Sequence, residues 1–176
     1  MLKYDCANGV MVTVRYTENG PEYLSLVPTC YPEIILYTRN ILTSGTTSGS
    51  KQVRAEDATR ERFIFHAVAP DEAADGISSG YYHYRMDQKI PLLCRYSRDI
   101  IEQSGQKAFS QKEEFFLLQD NKLIRIKRVA SLEDAFPQWK AKIETFADEN
   151  QINKLLPMNT ENTISLMEFI NTLSAQ

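Results

Sequence analysis

The sequence predicts an α+β fold, in which an antiparallel β-sheet is followed by two C-terminal packed helices. Residues 1–128 consist mainly of short segments in which apolar and polar residues alternate, which is typical of strands. Residues 129–176 instead carry apolar residues at helical spacing. Strands followed by helices, rather than alternating with them, favour an antiparallel sheet. The 176 residues predict a single domain, mainly β over 1–128 and helical over 129–176.

Three strands are predicted near the N-terminus, at 10–16, 22–27 and 33–42. In the first, Val10, Val12 and Val14 alternate with more polar residues. Asn19-Gly20 separates the first two strands, and this pair is the strongest short signal for a hairpin. The segment 43–50, TSGTTSGS, predicts a flexible loop.

The middle of the chain predicts further strands at 62–68, 81–86 and 90–100, with loops at 71–79 and 102–110. A hairpin is predicted from 113–119 and 122–128, because Asp120-Asn121 tolerate the left-handed turn conformation. The sheet would contain about seven to nine strands, either open or curled towards a barrel or sandwich.

Two amphipathic helices are predicted to close the chain. Ser131 would cap a helix start, and Pro137 would lie in the first turn of the main helix, where its missing N–H is tolerated. Trp139, Ile143 and Phe146 then form one apolar stripe, which we expect to lie on the sheet. The last helix, capped near Thr160, carries a similar stripe of Ile164, Met167, Phe169 and Leu173.

Composition argues against several function classes. A net charge of −3 does not suggest a nucleic-acid partner, and no apolar run is long enough for a transmembrane segment. Residues 1–5 are not followed by the apolar region of a signal peptide. Cys6, Cys30 and Cys94 cannot all pair within one monomer, and their spacing is not that of zinc ligands. The sequence predicts no metal and no cofactor.

One cluster of side chains is a candidate ligand-binding site. Tyrosine, histidine and arginine residues fall on adjacent predicted strands, where such side chains can stack on a ligand or form a protein contact; they are Tyr81, His83, Arg85, Arg95 and Arg98. Strand alternation alone also generates this pattern, with Tyr82, Tyr84 and Met86 lining the core. Both interpretations remain open from the sequence.

Enzyme sites are weakly indicated. Cys94 with His83 could form a nucleophile and base, but Cys94 alternates with Leu92 and Tyr96 on the expected core face. The glycine-rich segment before Lys51 lacks the spacing of a phosphate-binding loop. No catalytic residue is therefore predicted.

Residues 89–175 resemble a known group of proteins. The strand KIPLLCRYSRDI, the hairpin KEEFFLLQDNKLIRIKR, the Phe-Pro helix AFPQWKAKIETFADEN and a closing helix follow one another in this order. That order resembles the C-terminal portion of uncharacterised exported proteins of Bacteroidota. The resemblance implies a periplasmic or outer-membrane-associated module without assigned catalysis, and it implies no site residues.

We therefore expect a non-enzymatic binding or scaffolding module of the bacterial cell envelope. One alternative is a small cytosolic enzyme or ligand-binding domain that uses the cluster around His83. Another is a subunit of a larger protein assembly. The expected partner is another protein or a small ligand, with no nucleic acid, and the oligomeric state is open. Loops 43–50 and 102–110 would form the binding rim if they share one end of the sheet.

Overall fold

A computed structural model describes residues 2–5, 10–39, 58–103 and 106–175. This part of the chain contains nine strands, four α-helices and one short 3₁₀ turn. The strands are β1 Leu2–Asp5, β2 Val10–Thr17, β3 Gly20–Ser25, β4 Glu33–Arg39, β5 Ala58–His66, β6 Gly80–Met86, β7 Leu92–Gln103, β8 Gln106–Gln119 and β9 Lys122–Ile126. The helices are α1 Pro70–Ala74, α2 Val129–Ala135, α3 Lys140–Glu149 and α4 Thr160–Ser174, and the 3₁₀ turn is Pro137–Trp139.

The predicted α+β class is confirmed, with all strand pairs antiparallel. The described strands form two open sheets, one of order β1-β2-β3 and one of order β4-β5-β6-β7-β8-β9. Of the forms that the sequence left open, the closed barrel is excluded, because β4 and β9 are separate edges of the larger sheet. The strand β1 was not predicted from the sequence.

Both predicted hairpin turns are present. Asp120 and Asn121 have φ values of +49° and +59°, the left-handed conformation that a two-residue turn between β8 and β9 requires. In the β2–β3 hairpin, Gly20 pairs with Thr17 and has a φ of +110°, which glycine adopts without strain.

The two middle loops differ from their predictions. The polar loop predicted at 102–110 is wrong, because β7 and β8 pair up to Gln103 and Gln106. Ile100 pairs with Phe109 within this extension, so apolar residues recur in register on both strands. The segment predicted as a loop at 71–79 begins with α1, which has Pro70 at its first turn. The predicted loop at 43–50 lies outside the described residues.

The prediction of two C-terminal helices is wrong in number, since α2, α3 and α4 all follow β9. Pro137 has no N–H to continue α2, and Phe136 leaves the helical region with a φ of −130° and a ψ of 63°. Ser131 does not cap the helix as predicted. It lies in the first turn of α2, where its Oγ accepts from the N–H groups of Lys127 and Arg128 at 3.2 and 3.4 Å.

The three C-terminal helices cover one face of the six-stranded sheet. In the predicted stripe of α3, Ile143 is fully buried, whereas Trp139 and Phe146 lie at the margin of the core. The buried residues of the last helix are Thr163, Leu166, Met167, Ile170 and Asn171. This face overlaps the predicted stripe at Met167, and Ile164 of that stripe packs at the margin of the core. The cap of this helix is Asn159, next to Thr160 as predicted, and the Asn159 Oδ1 accepts from Asn162 N at 2.8 Å.

The N-terminal sheet packs on the same face of the larger sheet, near β4–β6. Met11 is fully buried in a cluster with Ile34, Phe63 and Tyr81. This contact joins β2 to β6. The larger sheet therefore carries two separate apolar clusters on one face, one under the helices and one under the small sheet.

The opposite face of the larger sheet is concave and encloses a third cluster. Glu72 of α1 is only 5% exposed. Its Oε1 lies 2.6 Å from Leu123 N in β9 and 2.9 Å from His66 Nε2 in β5, and its Oε2 accepts from Ala69 N at 2.8 Å. In a flat sheet β5 and β9 would be about 19 Å apart, four strand spacings. Because one oxygen contacts donors from both strands, the sheet must curl around this carboxylate.

The hydrogen bonds keep Glu72 charged. Burial alone would raise the pKa of Glu72, but the N–H groups of Ala69 and Leu123, together with His66, bring that pKa below its ordinary value. The carboxylate accepts only, so His66 Nε2 is the donor in this contact. The buried ion thus has a full set of partners.

Glu72→Gln is expected to lower the free energy of unfolding by about 2 kcal/mol at pH 7, because a buried ionic acceptor of three hydrogen bonds is lost. The pKa of Glu72 is lowered in the folded state, so its contribution is present above pH 4.5 and declines as pH falls through the folded pKa. Urea denaturation of both proteins at pH 7 and at pH 3 measures this. The control is Asp71→Asn, since Asp71 is exposed and bonds Lys122. An equal effect of the two substitutions would contradict the role of Glu72.

Ile143→Ala is expected to lower the free energy of unfolding by about 3 kcal/mol, because it leaves a cavity between α3 and the sheet. Leu155→Ala is the control, since Leu155 is 79% exposed and its removal leaves no cavity. Chemical denaturation measures both. A change of less than 1 kcal/mol for Ile143→Ala would mean that α3 does not pack on the sheet as described.

Candidate functional site

The predicted cluster is divided between the two faces of the larger sheet. His83 pairs with Cys94 across β6 and β7, so both lie on the face that the helices and the small sheet cover, together with Tyr81. Arg95 follows Cys94 and therefore lies on the concave face. Arg85 falls at a register shift between Tyr84 and Met86. The backbone of Arg98 pairs with Gln111, and its side chain lies outside the described residues.

His83 is held in a small buried group. Its side chain is 8% exposed, its ring stacks on Phe63 at 4.7 Å, and its Nδ1 lies 3.0 Å from the hydroxyl of Tyr96. Arg85 Nη1 reaches the same hydroxyl at 3.4 Å. Burial, with a smaller contribution from Arg85, lowers the pKa of His83 to about 4, although Glu113 opposes this shift. The ring is therefore neutral at pH 7, and its Nδ1 can accept a hydrogen bond from the Tyr96 hydroxyl.

Tyr81 joins two parts of the chain. It is fully buried, and its hydroxyl donates to the carbonyl oxygen of Tyr31 at 2.6 Å. Its ring also meets Phe65 edge to face, with the ring centres 5.4 Å apart. This side chain thus connects β6 to the segment that precedes β4.

Arg95 belongs to a series of three arginines over aromatic rings. The guanidinium of Arg62 lies 4.3 Å from the centre of the Tyr84 ring, that of Arg95 5.9 Å from Tyr82, and that of Arg125 5.6 Å from Phe116. Sequence analysis missed Arg62 and Arg125. The Arg125–Phe116 contact was detectable in principle, because these two residues pair directly across the predicted β8–β9 hairpin.

These arginines already have hydrogen-bonding partners. Arg62 binds both Glu33 and Asp87, and the contact with Glu33 does most to raise the pKa of Arg62 above its ordinary value. Arg95 donates to the carbonyl of Ser78 at 3.3 Å, and Arg125 donates to that of Gly76 at 2.8 Å. The segment that follows α1 is therefore fixed over the concave face by the arginines beneath it.

The cysteines and histidines offer little reactive chemistry in the described part of the chain. Cys94 is 1% exposed, and burial raises its pKa to about 12, so the thiol stays protonated at neutral pH. Cys30 is exposed, and Cys6 lies outside the described residues. No group of three or more histidine, cysteine or acidic side chains is placed to hold a metal ion among the residues described.

A cleft of about 710 Å³ opens between the sheet and the helices. Four parts of the chain form it: the β6–β7 turn, the β8–β9 turn, the junction of α2 and α3, and the end of α4. Its lining residues are Lys89, Ile90, Leu118, Gln119, Asp120, Phe136, Gln138, Trp139, Lys142, Leu173 and Ser174. None of the five residues of the predicted cluster lines this cleft.

A second surface lies on the small sheet and the turn that follows it. Six of the eight large hydrophobic side chains that are exposed in the described residues lie within 16–35. We define the apolar strip as the exposed apolar residues along this edge, Tyr16, Tyr23, Leu24, Val27 and Tyr31, of which Tyr16 is 72% and Tyr23 61% exposed. Tyr16 and Tyr23 lie on one face of the small sheet and Leu24 lies on the other. Tyr16 pairs with Pro21 across the hairpin, and Tyr31 N donates to Val27 O at 3.1 Å. No described strand pairs with the outer edge of β3.

None of the helices in the described ranges is long and apolar enough to cross a membrane. Comparison with protein-family models, with curated proteins and with solved structures found no match to this chain. The resemblance of residues 89–175 to exported proteins of Bacteroidota, and the envelope location that it implies, therefore stay predictions.

His83→Phe is expected to flatten the dependence of stability on pH. The pKa of His83 is lowered in the folded state, so wild-type stability is complete above about pH 6.5 and is lost as pH falls from there to about 4. We expect the wild-type protein to lose about 3 kcal/mol more than the variant over this window. Urea unfolding at half-unit pH intervals measures it. Parallel pH profiles of the two proteins would mean that His83 is not buried in the neutral form.

Proposed function

We propose that this protein is a non-enzymatic binding module that recognises an extended segment of a partner protein by adding it as a strand to β3. The observation that carries the proposal is the apolar strip along an edge strand that no described strand covers. Exposed edges that carry apolar side chains are templates for strand addition.

The backbone of β3 offers partners for such a strand. Leu26 N donates to Met11 O at 2.8 Å, which sets the alternation of hydrogen-bonded pairs between β2 and β3. By this alternation the backbone N–H and C=O groups of Leu24 and Glu22 point towards β2. Those of Tyr23 and Ser25 point to the open edge. The backbone of Pro21 also faces the open edge, so its missing N–H removes no hydrogen bond between the described strands.

The side chains around this edge suit a protein partner. Tyrosine is enriched at the centres of interfaces because it buries a large ring while its hydroxyl keeps a polar partner. Glu22 is paired with Arg15 at 3.0 Å on the face that carries Leu24. The edge thus offers tyrosine rings on one face, and a leucine beside an ion pair on the other.

A partner protein fits this edge better than a second copy of the same chain. If two β3 strands pair antiparallel about Tyr23, Pro21 of one copy falls opposite Ser25 of the other. Pro21 cannot donate to that Ser25 carbonyl, and so two hydrogen bonds are lost in the pair. A partner strand without proline at this position would donate to the Ser25 carbonyl, so only the bond that Pro21 itself cannot donate would be lost.

Other observations favour binding over the alternative of an enzyme built around His83. Its ring is buried against Phe63, the Arg95 guanidinium is paired with Ser78, and Cys94 is protonated. The alternative of a subunit in a larger assembly would use the same apolar strip.

The envelope location is part of the proposal and rests on the resemblance of residues 89–175. Fractionation of cells that express the full-length gene tests it.

Tyr23→Asp is expected to weaken binding of an extended peptide at least tenfold, because a charge replaces the central ring of the strip. Peptides are first selected from a display library on the immobilised wild-type protein. Their dissociation constants for wild type and variant are then measured by fluorescence polarisation. The control is Leu155→Asp, which changes another exposed apolar residue, in the loop between α3 and α4, and should leave the affinity unchanged.

Two results would overturn the proposal. One is that selection yields no peptide whose affinity depends on Tyr23. The other is that the wild-type protein dimerises in sedimentation and Tyr23→Asp makes it monomeric, because the strip then binds a second copy of the chain.

A further inference from the structure

We propose that the cleft between the β8–β9 turn and the helices binds a short oligosaccharide, which stacks on the indole of Trp139 and bonds through its hydroxyls to Asp120, Gln119 and Gln138. This inference is independent of the proposed function, since the cleft and the apolar strip share no residue. The volume of the cleft, about 710 Å³, lies in the range of sites that hold drug-sized ligands.

The indole is held in place from one side. Phe136, which is buried, stacks on Trp139 with ring centres 5.5 Å apart and ring planes 30° apart. Trp139 ends the 3₁₀ turn that begins at Pro137, and its side chain is only partly buried. One side of the ring system therefore packs against the protein while the residue also lines the cleft. Such a supported aromatic surface can stack on the apolar C–H face of a sugar ring.

The rim offers hydrogen-bonding groups of both kinds. Gln119 and Gln138 each provide an amide donor and an amide acceptor, and Asp120 provides a carboxylate acceptor. Asp120 lies in the two-residue turn whose left-handed backbone the β8–β9 pairing fixes, so its position is set by the hairpin. Sugar hydroxyls both donate and accept, and a mixed rim of this kind matches them.

The two lysines and one aspartate that line the cleft leave a net charge of +1. Lys89 Nζ donates to the carbonyl of Ser174 at the end of α4, where a cation offsets the unpaired carbonyls of the helix terminus. Of the other two charged lining residues, Lys142 is positive and Asp120 negative. With Lys89 held at the helix terminus and Lys142 offset by Asp120, a strongly charged ligand would find little net attraction here. A wholly apolar ligand would have to desolvate the rim, at a cost in free energy. A neutral ring with an apolar face and a hydroxyl edge avoids both penalties.

Trp139 also gives the test a local signal, because it is the only tryptophan in the chain. The intact protein is titrated with maltotriose, cellotriose or triacetylchitotriose up to about 20 mM, and tryptophan emission is recorded. We expect at least one trisaccharide to give a saturable change, with a dissociation constant of about 0.1–5 mM. Glycerol at the same hydroxyl concentration is the control for a solvent effect.

Two variants test whether the sugar binds in the cleft. Asp120→Asn keeps the turn, since asparagine tolerates the left-handed conformation, but it removes the charge. It should raise the dissociation constant at least fivefold, and Gln138→Ala should act in the same direction. Glu22→Gln on β3 is the control and should bind as wild type does.

Three results would overturn this inference. The first is that no trisaccharide changes the emission. The second is that Asp120→Asn and Gln138→Ala both bind as wild type does, since the sugar then lies elsewhere. The third is that an anilinonaphthalene sulfonate dye saturates the site and no trisaccharide competes with it. The peptide affinity of Asp120→Asn and the sugar affinity of Tyr23→Asp should both be unchanged, so failure here and failure of the proposed function are distinguishable.

Discussion

The curvature of the larger sheet depends on the buried carboxylate of Glu72. This single group accepts hydrogen bonds from its own helix start, from the end of β5 and from the edge strand β9. A buried carboxylate without donors would be costly, so α1, His66 and Leu123 must keep their mutual positions. Once they do, the concave face is narrow enough for Ile77 to fill it together with Tyr82, Leu93, Phe116 and Leu123. The arginines that bind the carbonyls of Gly76 and Ser78 then hold the segment after α1 against that face.

The curled sheet leaves its outer face to be covered in two pieces. The helices bury Leu92, Cys94 and Phe115, and the small sheet buries Phe63 and Tyr81. His83 lies where these two clusters meet, since it stacks on Phe63 and pairs with Cys94. A polar ring at such a junction needs an internal partner, and the Tyr96 hydroxyl supplies it. The cluster that the sequence marks as a candidate ligand site therefore also has a structural role on each face.

Local signals in the sequence predicted the parts of this fold that depend on near neighbours. Asp120-Asn121 and Asn19-Gly20 give their turns because the turn conformation is set by the residues themselves. Pairing between distant segments left no such signal: Glu72 and Leu123 are 51 residues apart, and nothing near either indicates the other. Strand alternation predicts that neighbouring residues are buried and exposed in turn. It fails in β6, where both faces are covered and both Tyr81 and Tyr82 are fully buried. The cleft was not predictable for the same reason, since its walls come from four separate parts of the chain.

The polar groups of the sheet are largely satisfied within the protein, and this decides where binding can occur. His66, His83, Arg62 and Arg95 all contact groups of the same chain, so recruiting them for a ligand would first break a hydrogen bond or an ion pair. Among the described residues, no comparable contact involves the side chains of Gln119, Asp120 and Gln138 at the rim of the cleft, or the outward backbone groups of β3. The position of Asp120 is set by a tight turn, and the outward direction of the Tyr23 N–H and C=O groups is set by the register of one hairpin. Binding at the two proposed sites would therefore add contacts without removing those that maintain the fold, since both surfaces rest on hairpins whose geometry is already fixed.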